Sequence, residues 1–261
     1  MTEPVMVERK DGIAVMMLNR SEAFNAFDLR MVTALADALV ALAADAAVRG
    51  VVISGNGKAF CAGGDLKWAL SFKNGPSAAF HELAARFHLA VTEIRRMPKP
   101  VVAAVNGVAA GGGFSLALAC DFRVLARSAI LRQAYTSNGL CIDGGGTFTL
   151  PRLVGFARAL EIAAFDQPIS AAQALSWGLA TKVVEDGHAL AAGIEMAGSM
   201  AANAVHAFGV AKQLLTDSFD TSFETQMERE RQALSVCAAH GEGKEGLQAF
   251  AQKRKPKFYP R

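Results

Sequence analysis

The chain has 261 residues, 52% of them hydrophobic, and a formal net charge of +3. That length suits one large domain or one domain with an appendage, the charge is too mild for a nucleic-acid surface, and no run of eighteen apolar residues reads as a membrane span. Cys61, Cys120, Cys141 and Cys237 show no CxxC spacing, which argues against a zinc site and for free thiols in a reducing, cytoplasmic setting, and the N-terminus lacks the basic-then-apolar order of a secretion signal.

In chain order, residues 5–8 and 13–18 flank Asp11-Gly12 and predict a hairpin. Residues 19–25 read as a polar loop. Over 28–47 the apolar residues Leu29, Val32, Leu35, Leu39 and Leu42 recur at helical spacing, with Asp28 as the cap. Residues 51–54 are a short buried strand, and 55–64 a loop. Asp65 can cap a short helix over 66–72, which Asn74-Gly75-Pro76 ends. A long helix over 78–96 stops at Pro98 and Pro100. The apolar run 101–105 is a buried strand and 114–120 a buried helix. Short strands are expected over 122–126, 130–133 and 182–184. Residues 135–146 are irregular, helices cover 148–154, 158–165 and 171–177, and the chain is helical from 189 to about 252.

The chain is organised around Asn106 to Cys120, where Gly111, Gly112 and Gly113 join the strand 101–105 to the helix that follows. The first turn of a helix carries unpaired N–H donors and a positive dipole end, and glycine lets a ligand approach that backbone. A second strand–glycine–helix unit runs from Val51 through Gly63-Gly64 to the helix after Asp65. Two such loops can supply two N–H donors to one oxygen that becomes negative during reaction, as in the enolate of a thioester. Glycine spacing alone reads equally as two tight turns with close helix packing.

Several stretches together resemble the crotonase family, the enoyl-CoA hydratase/isomerase superfamily. They are Leu18 to Ala26, Ala59-Phe60-Cys61-Ala62-Gly63-Gly64-Asp65, Pro100 to Gly107, Gly111 to Gly113, Ala119-Cys120-Asp121 and Pro151 to Gly155. The resemblance implies an α/β fold, a spiral of repeated ββα units over residues 1–200 with the acyl-CoA site. It further implies a C-terminal helical region, 201–261, for trimerisation, giving a homotrimer or a dimer of trimers. The implied partner is an acyl-CoA thioester, with no cofactor beyond its CoA moiety, no metal, no nucleic acid and no membrane. On the family pattern the oxyanion donors fall on Gly64 and Gly112. Positions expected against the CoA are Ala26, Ala62, Asp65, Leu66 and Lys67. Phe250 and Lys253 are expected at its nucleotide and 3′-phosphate, across a subunit boundary. The basic run Lys253 to Lys257 reads otherwise as a solvated tail.

The departures from the family carry the specificity. Family hydratases use two glutamates to place a water; those positions are Ser115 and Tyr135 here, and neither is a carboxylate at neutral pH. Eight residues beyond Tyr135 stands Asp143, a position where members resembling ring-1,2-epoxyphenylacetyl-CoA isomerase carry a proton-shuttling aspartate. One carboxylate can remove a proton beside the thioester and return it at another carbon. Asp143 reads alternatively as a helix cap before Gly144, Gly145 and Gly146. Members resembling 4-chlorobenzoyl-CoA dehalogenase use that aspartate as a nucleophile, with a tryptophan at Tyr135 and a histidine on the helix before the central strand, a position read here as Thr92, with His88 one turn away. An enoyl-CoA hydratase with atypical residues and a non-catalytic acyl-CoA binder complete the alternatives. Ser115 is open between helix packing and a substrate hydrogen bond, and Tyr135 between core and substrate donor. His81 and His88 read as ordinary surface or packing residues. Trp68, Leu70 and Phe72 read as acyl-pocket or core residues.

Overall fold

The computed structural model describes residues 3–259. Strands β1 (Val5–Lys10) and β2 (Ile13–Leu18) form the expected antiparallel hairpin. Helix α1 (Leu29–Ala44) follows, and the Asp28 side chain accepts from the Met31 N–H at 2.8 Å. Next come β3 (Gly50–Gly55), β4 (Ala59–Cys61), α2 (Leu66–Ser71) and α3 (Gly75–Arg96). The central strand β5 (Val101–Val105) leads through β6 (Val108–Ala110) into α4 (Gly112–Ala119). A third pair, β7 (Phe122–Ala126) and β8 (Ile130–Arg132), leads through the segment 133–145 to α5 (Gly146–Val154). Helix α6 (Phe156–Phe165), β9 (Ile169–Ser170), α7 (Ala171–Ser176) and β10 (Lys182–Val184) complete the sheets. The C-terminal helices are α8 (Ala189–Ala201), α9 (Val205–Asp217), α10 (Phe223–Ala239) and α11 (Gly241–Ala251).

Two sheets result. The larger has the order β1-β2-β3-β5-β7-β10, parallel except for the hairpin; the smaller is β4-β6-β8-β9. Each turn of the chain gives one strand to the large sheet and the next to the small one, so β3–β4–α2 and β5–β6–α4 are successive turns of a spiral of ββα units. The large sheet is covered on both faces. Val51, Ile53, Val101, Ala103 and Val105 face the main core with α1 and α3, while Val52, Val102 and Ala104 face a second core under α8. Burial on both faces is why these strands read as unbroken apolar runs.

Three expectations change. The stretch 55–64 contains β4, and 106–110 contains β6; three residues apiece are too few to show a two-residue period, and their pairing is long-range. The long helix starts at Gly75, three residues early, because Pro76 sits in its first turn, where a missing N–H costs nothing. Helix α5 begins at Gly146, and its N-cap is Gly145 with no side-chain cap. Asp143 is therefore not the helix cap.

Of the C-terminal helices, α9 is bound to the core: the buried Lys212 Nζ lies 2.8 Å from Asp121 Oδ2 and 2.7 Å from the Ile94 carbonyl. Helix α10 has no buried residue, and Phe223, Leu234 and Phe250 are each more than 70% exposed. No helix among the described residues is long and apolar enough to cross a membrane.

Candidate active site

The parallel pairing of β4 with β6 brings the ends of both strands together, and with them the two glycine loops. Gly63 has φ +94°, and a Cβ there would lie 2.8 Å from the Ala110 carbonyl oxygen and 3.1 Å from the Gly112 nitrogen. The backbones are thus in contact, and only glycine fits. Gly113 is equally constrained: its Cβ would meet the Cys61 carbonyl oxygen at 2.1 Å. Phe27 donates to the Gly63 carbonyl at 2.7 Å and accepts from the Asp65 N–H at 2.9 Å. This ladder skips the Gly64 N–H, which has no acceptor among the described residues. Gly112 opens α4, so its N–H has no intrahelical acceptor. All eight residues of α4 are buried, which leaves the positive end of its dipole poorly screened.

Gly64 and Gly112 border one cavity of about 110 Å³, and Tyr135 and Asp143 border it too. Asp143 is the single carboxylate among the described residues that line it. Its backbone is pinned. The carbonyl accepts from Ser115 Oγ at 2.6 Å and from the Gly146 N–H at 3.1 Å. Ser115, fully buried on α4, also meets the Tyr135 hydroxyl at 3.3 Å. Ser115 thus ties the two residues beside it together. Burial pushes the Tyr135 phenol well above its ordinary range, and the Ser115 hydrogen bond only partly opposes that, so Tyr135 stays neutral.

His88 was read from sequence as a surface or packing residue, and Thr92 as the counterpart of the dehalogenase histidine. His88 is exposed, in keeping with its reading as a surface residue, but it also reaches Asp143, a contact that its place in the sequence does not show. His88 Nε2 lies 2.6 Å from Asp143 Oδ1. Thr92, one turn further along α3, makes no such contact and borders an outer groove with His88 and Arg95. His81 is exposed. Helix α3 puts Phe87 into the cavity wall and His88 beside it on the adjacent face. No local signal marks His88, because its partner is 55 residues away.

The residues expected against CoA divide. Ala62 and Leu66 border the cavity. Ala26 is buried, and its carbonyl accepts from Arg20 Nη1 at 2.7 Å. Asp65 caps α2 through the Trp68 N–H at 3.0 Å and pairs with Arg20 at 3.1 Å. Lys67 is exposed on α2. Phe250, 85% exposed, and Lys253 lie at the end of α11, and neither borders the cavity. Trp68 packs on Phe72, ring centroids 5.2 Å apart, Leu70 is exposed, and none of the three borders the cavity. The apolar wall is Phe27, Phe80, Leu83 and Phe87 instead.

With this geometry in view, the chain was compared with known proteins. The family model for enoyl-CoA hydratase/isomerase matches residues 8–261. The 1,2-epoxyphenylacetyl-CoA isomerase of Escherichia coli K12 is 35% identical over 99% of both chains. The crotonyl-CoA hydratase of Syntrophomonas wolfei is 34% identical over 98% of both. A 4-chlorobenzoyl coenzyme A dehalogenase of Arthrobacter is 30% identical over 95% of this chain and 91% of the other. Among solved structures, an enoyl-CoA hydratase from Polaromonas sp. JS666 superposes with a TM-score of 0.92 at 35% identity, covering 97% of this chain and 98% of that one. The ββα spiral with its two glycine loops thus has its match along the whole chain, which belongs to the enoyl-CoA hydratase/isomerase family of the crotonase superfamily.

Proposed function

We propose that this family enzyme is an enoyl-CoA isomerase that moves a double bond, with Asp143 as acid and base and with the N–H groups of Gly64 and Gly112 as the oxyanion hole. The observation that carries the reading is a single carboxylate, Asp143, on the cavity shared with both glycines. Asp143 takes a proton from a carbon next to the thioester carbonyl. The C–H electron pair enters the enolate, whose oxygen the two N–H donors hold. The same carboxyl then returns a proton at a different carbon, and the double bond shifts. Ser115 and Tyr135, at the hydratase glutamate positions, serve as supports for Asp143. Asp143→Asn is expected to lower migration and α-proton exchange in deuterated water by about 10²- to 10⁴-fold, the usual scale of a lost general base. Unchanged rates would sink the assignment. Oxygen from labelled water in the product would instead mark a hydratase, and tight acyl-CoA binding without turnover a non-catalytic binder.

A second reading is favoured by the contact of His88 with Asp143. Asp143 displaces halide from a haloaryl-CoA ring and forms an aryl ester. His88 then draws a proton from the water that hydrolyses the ester. Tyr135 stands where the resemblance to dehalogenase-like members implies a tryptophan. Halide release from 4-chlorobenzoyl-CoA, abolished in His88→Gln with the ester trapped on the protein, would favour it over isomerisation.

We further propose a cytoplasmic homotrimer or dimer of trimers, the apolar side chains of α9 to α11 meeting a second copy, and Phe250 and Lys253 reaching CoA there. The support is the exposure of Phe223, Leu234 and Phe250 on helices with little core of their own.

A further inference from the structure

The walls of the cavity are more particular than proton transfer requires. A Cβ on Gly64 would lie 3.5 Å from Cε1 of Phe80 and 3.8 Å from Cδ2 of Leu83. A Cβ on Gly112 would lie 3.0 and 3.1 Å from Cδ2 and Cε2 of Phe27. An aromatic ring therefore stands beside the Cα of each of the two glycines. Phe87 tilts onto Phe27, ring centroids 5.0 Å apart at 47°, and closes the slot from behind. Leu140 and Tyr135 border it from the 133–145 segment.

A thioester whose oxygen sits between Gly64 and Gly112 has its acyl group in the cavity that Phe27 and Phe80 line. Two constraints then act. Aromatic walls favour a flat group, which meets ring faces and edges at close range. The space is small, about 110 Å³, less than the roughly 150 Å³ of a cavity that takes up benzene, so a single flat ring is already a close fit. A long saturated chain has more atoms than this space holds. It would have to displace Leu83 and Phe87, both buried in the main core, and overpacking a core is destabilising.

Resting on the reading that Gly64 and Gly112 hold the thioester oxygen, we propose that the site selects flat, compact acyl groups, a single ring or a short conjugated chain. Phe80 and Leu140 set the size limit. Both are half-buried, so they can be trimmed with less cost to the core than Leu83 or Phe87.

The test is calorimetric binding of benzoyl-CoA, octanoyl-CoA and free CoA to the full-length protein. Neither thioester can undergo double-bond migration, so binding is read apart from turnover. Benzoyl-CoA is expected to bind at least tenfold tighter than octanoyl-CoA. Phe80→Ala, or Leu140→Ala should the first variant fail to fold, is expected to tighten octanoyl-CoA several-fold and leave free CoA unchanged. Octanoyl-CoA binding as tightly as benzoyl-CoA overturns the selectivity. So does an unchanged octanoyl-CoA affinity in the folded variants. If Asp143-dependent isomerisation persists in either case, only the selectivity falls. If both thioesters bind no better than free CoA, the oxyanion-hole reading falls with it.

Discussion

At the scale of single residues, the site depends on side chains that never face the cavity. Ser115 contributes a hydroxyl to the Asp143 carbonyl rather than a carboxylate to a water. Ser115→Ala removes that support and leaves the Asp143 carbonyl with the Gly146 N–H alone, a change that costs about 0.5–1.5 kcal/mol. The expected result is a fall in kcat of roughly tenfold with KM little changed, from steady-state kinetics, beside a matching loss in urea denaturation. Asp166 acts further out. Its carboxylate accepts from the Ala134 N–H at 2.8 Å and pairs with Arg132 at 3.2 Å, which holds the bend before Tyr135. Burial pushes this carboxyl up, but hydrogen bonds from Ser137, Ala134 and Arg132 outweigh it, and the net shift is downward. A carboxyl with a lowered folded-state pKa stabilises the fold above its unfolded value of about 4, and that stability fades as the pH falls through the lower folded value. Asp166→Asn should therefore destabilise at pH 7, by a margin that shrinks as the pH falls below the unfolded value of about 4, in denaturant melts across that range.

At the scale of elements, α9 is held to the core by one buried ion pair. Lys212 Nζ reaches Asp121 and two backbone carbonyls, and Asp121 also accepts from the Val101 N–H at the start of the central strand. Lys212→Met strands that carboxylate. The expected loss is about 3–5 kcal/mol, the usual result of removing one partner of a buried pair, read by chemical denaturation. Helices α1 and α3 and strands β3 and β5 were legible because each repeats one apolar period over several turns or lies buried on both faces. Strands β4, β6 and β9 were not: two or three residues carry no period, and each exists only through pairing with a distant segment. Helix α10 was legible as a helix, yet its apolar residues find no core in one chain.

At the scale of the whole molecule, the spiral sets two turns side by side and so brings two glycine loops to one cavity. The exposed apolar side chains of α9 to α11 belong to this scale as well. Light scattering is expected to give three or six times the chain mass of 27.5 kDa; a monomer at micromolar concentration would refute the assembly. Sequence by itself determined the strand–glycine–helix units, because each is written in a run of adjacent residues, and its resemblance to the crotonase family singled out Ser115 and Tyr135 in place of glutamates and Asp143 as the carboxylate to ask about. Only the tertiary structure decided that Asp143 is no helix cap, that His88 rather than Thr92 is its neighbour, and that Phe27, Phe80 and Phe87 wall the cavity. A helical period says that Phe87 and His88 lie on adjacent faces of α3; what each face meets depends on how α3 docks against segments 55 or more residues away, and no local pattern encodes that.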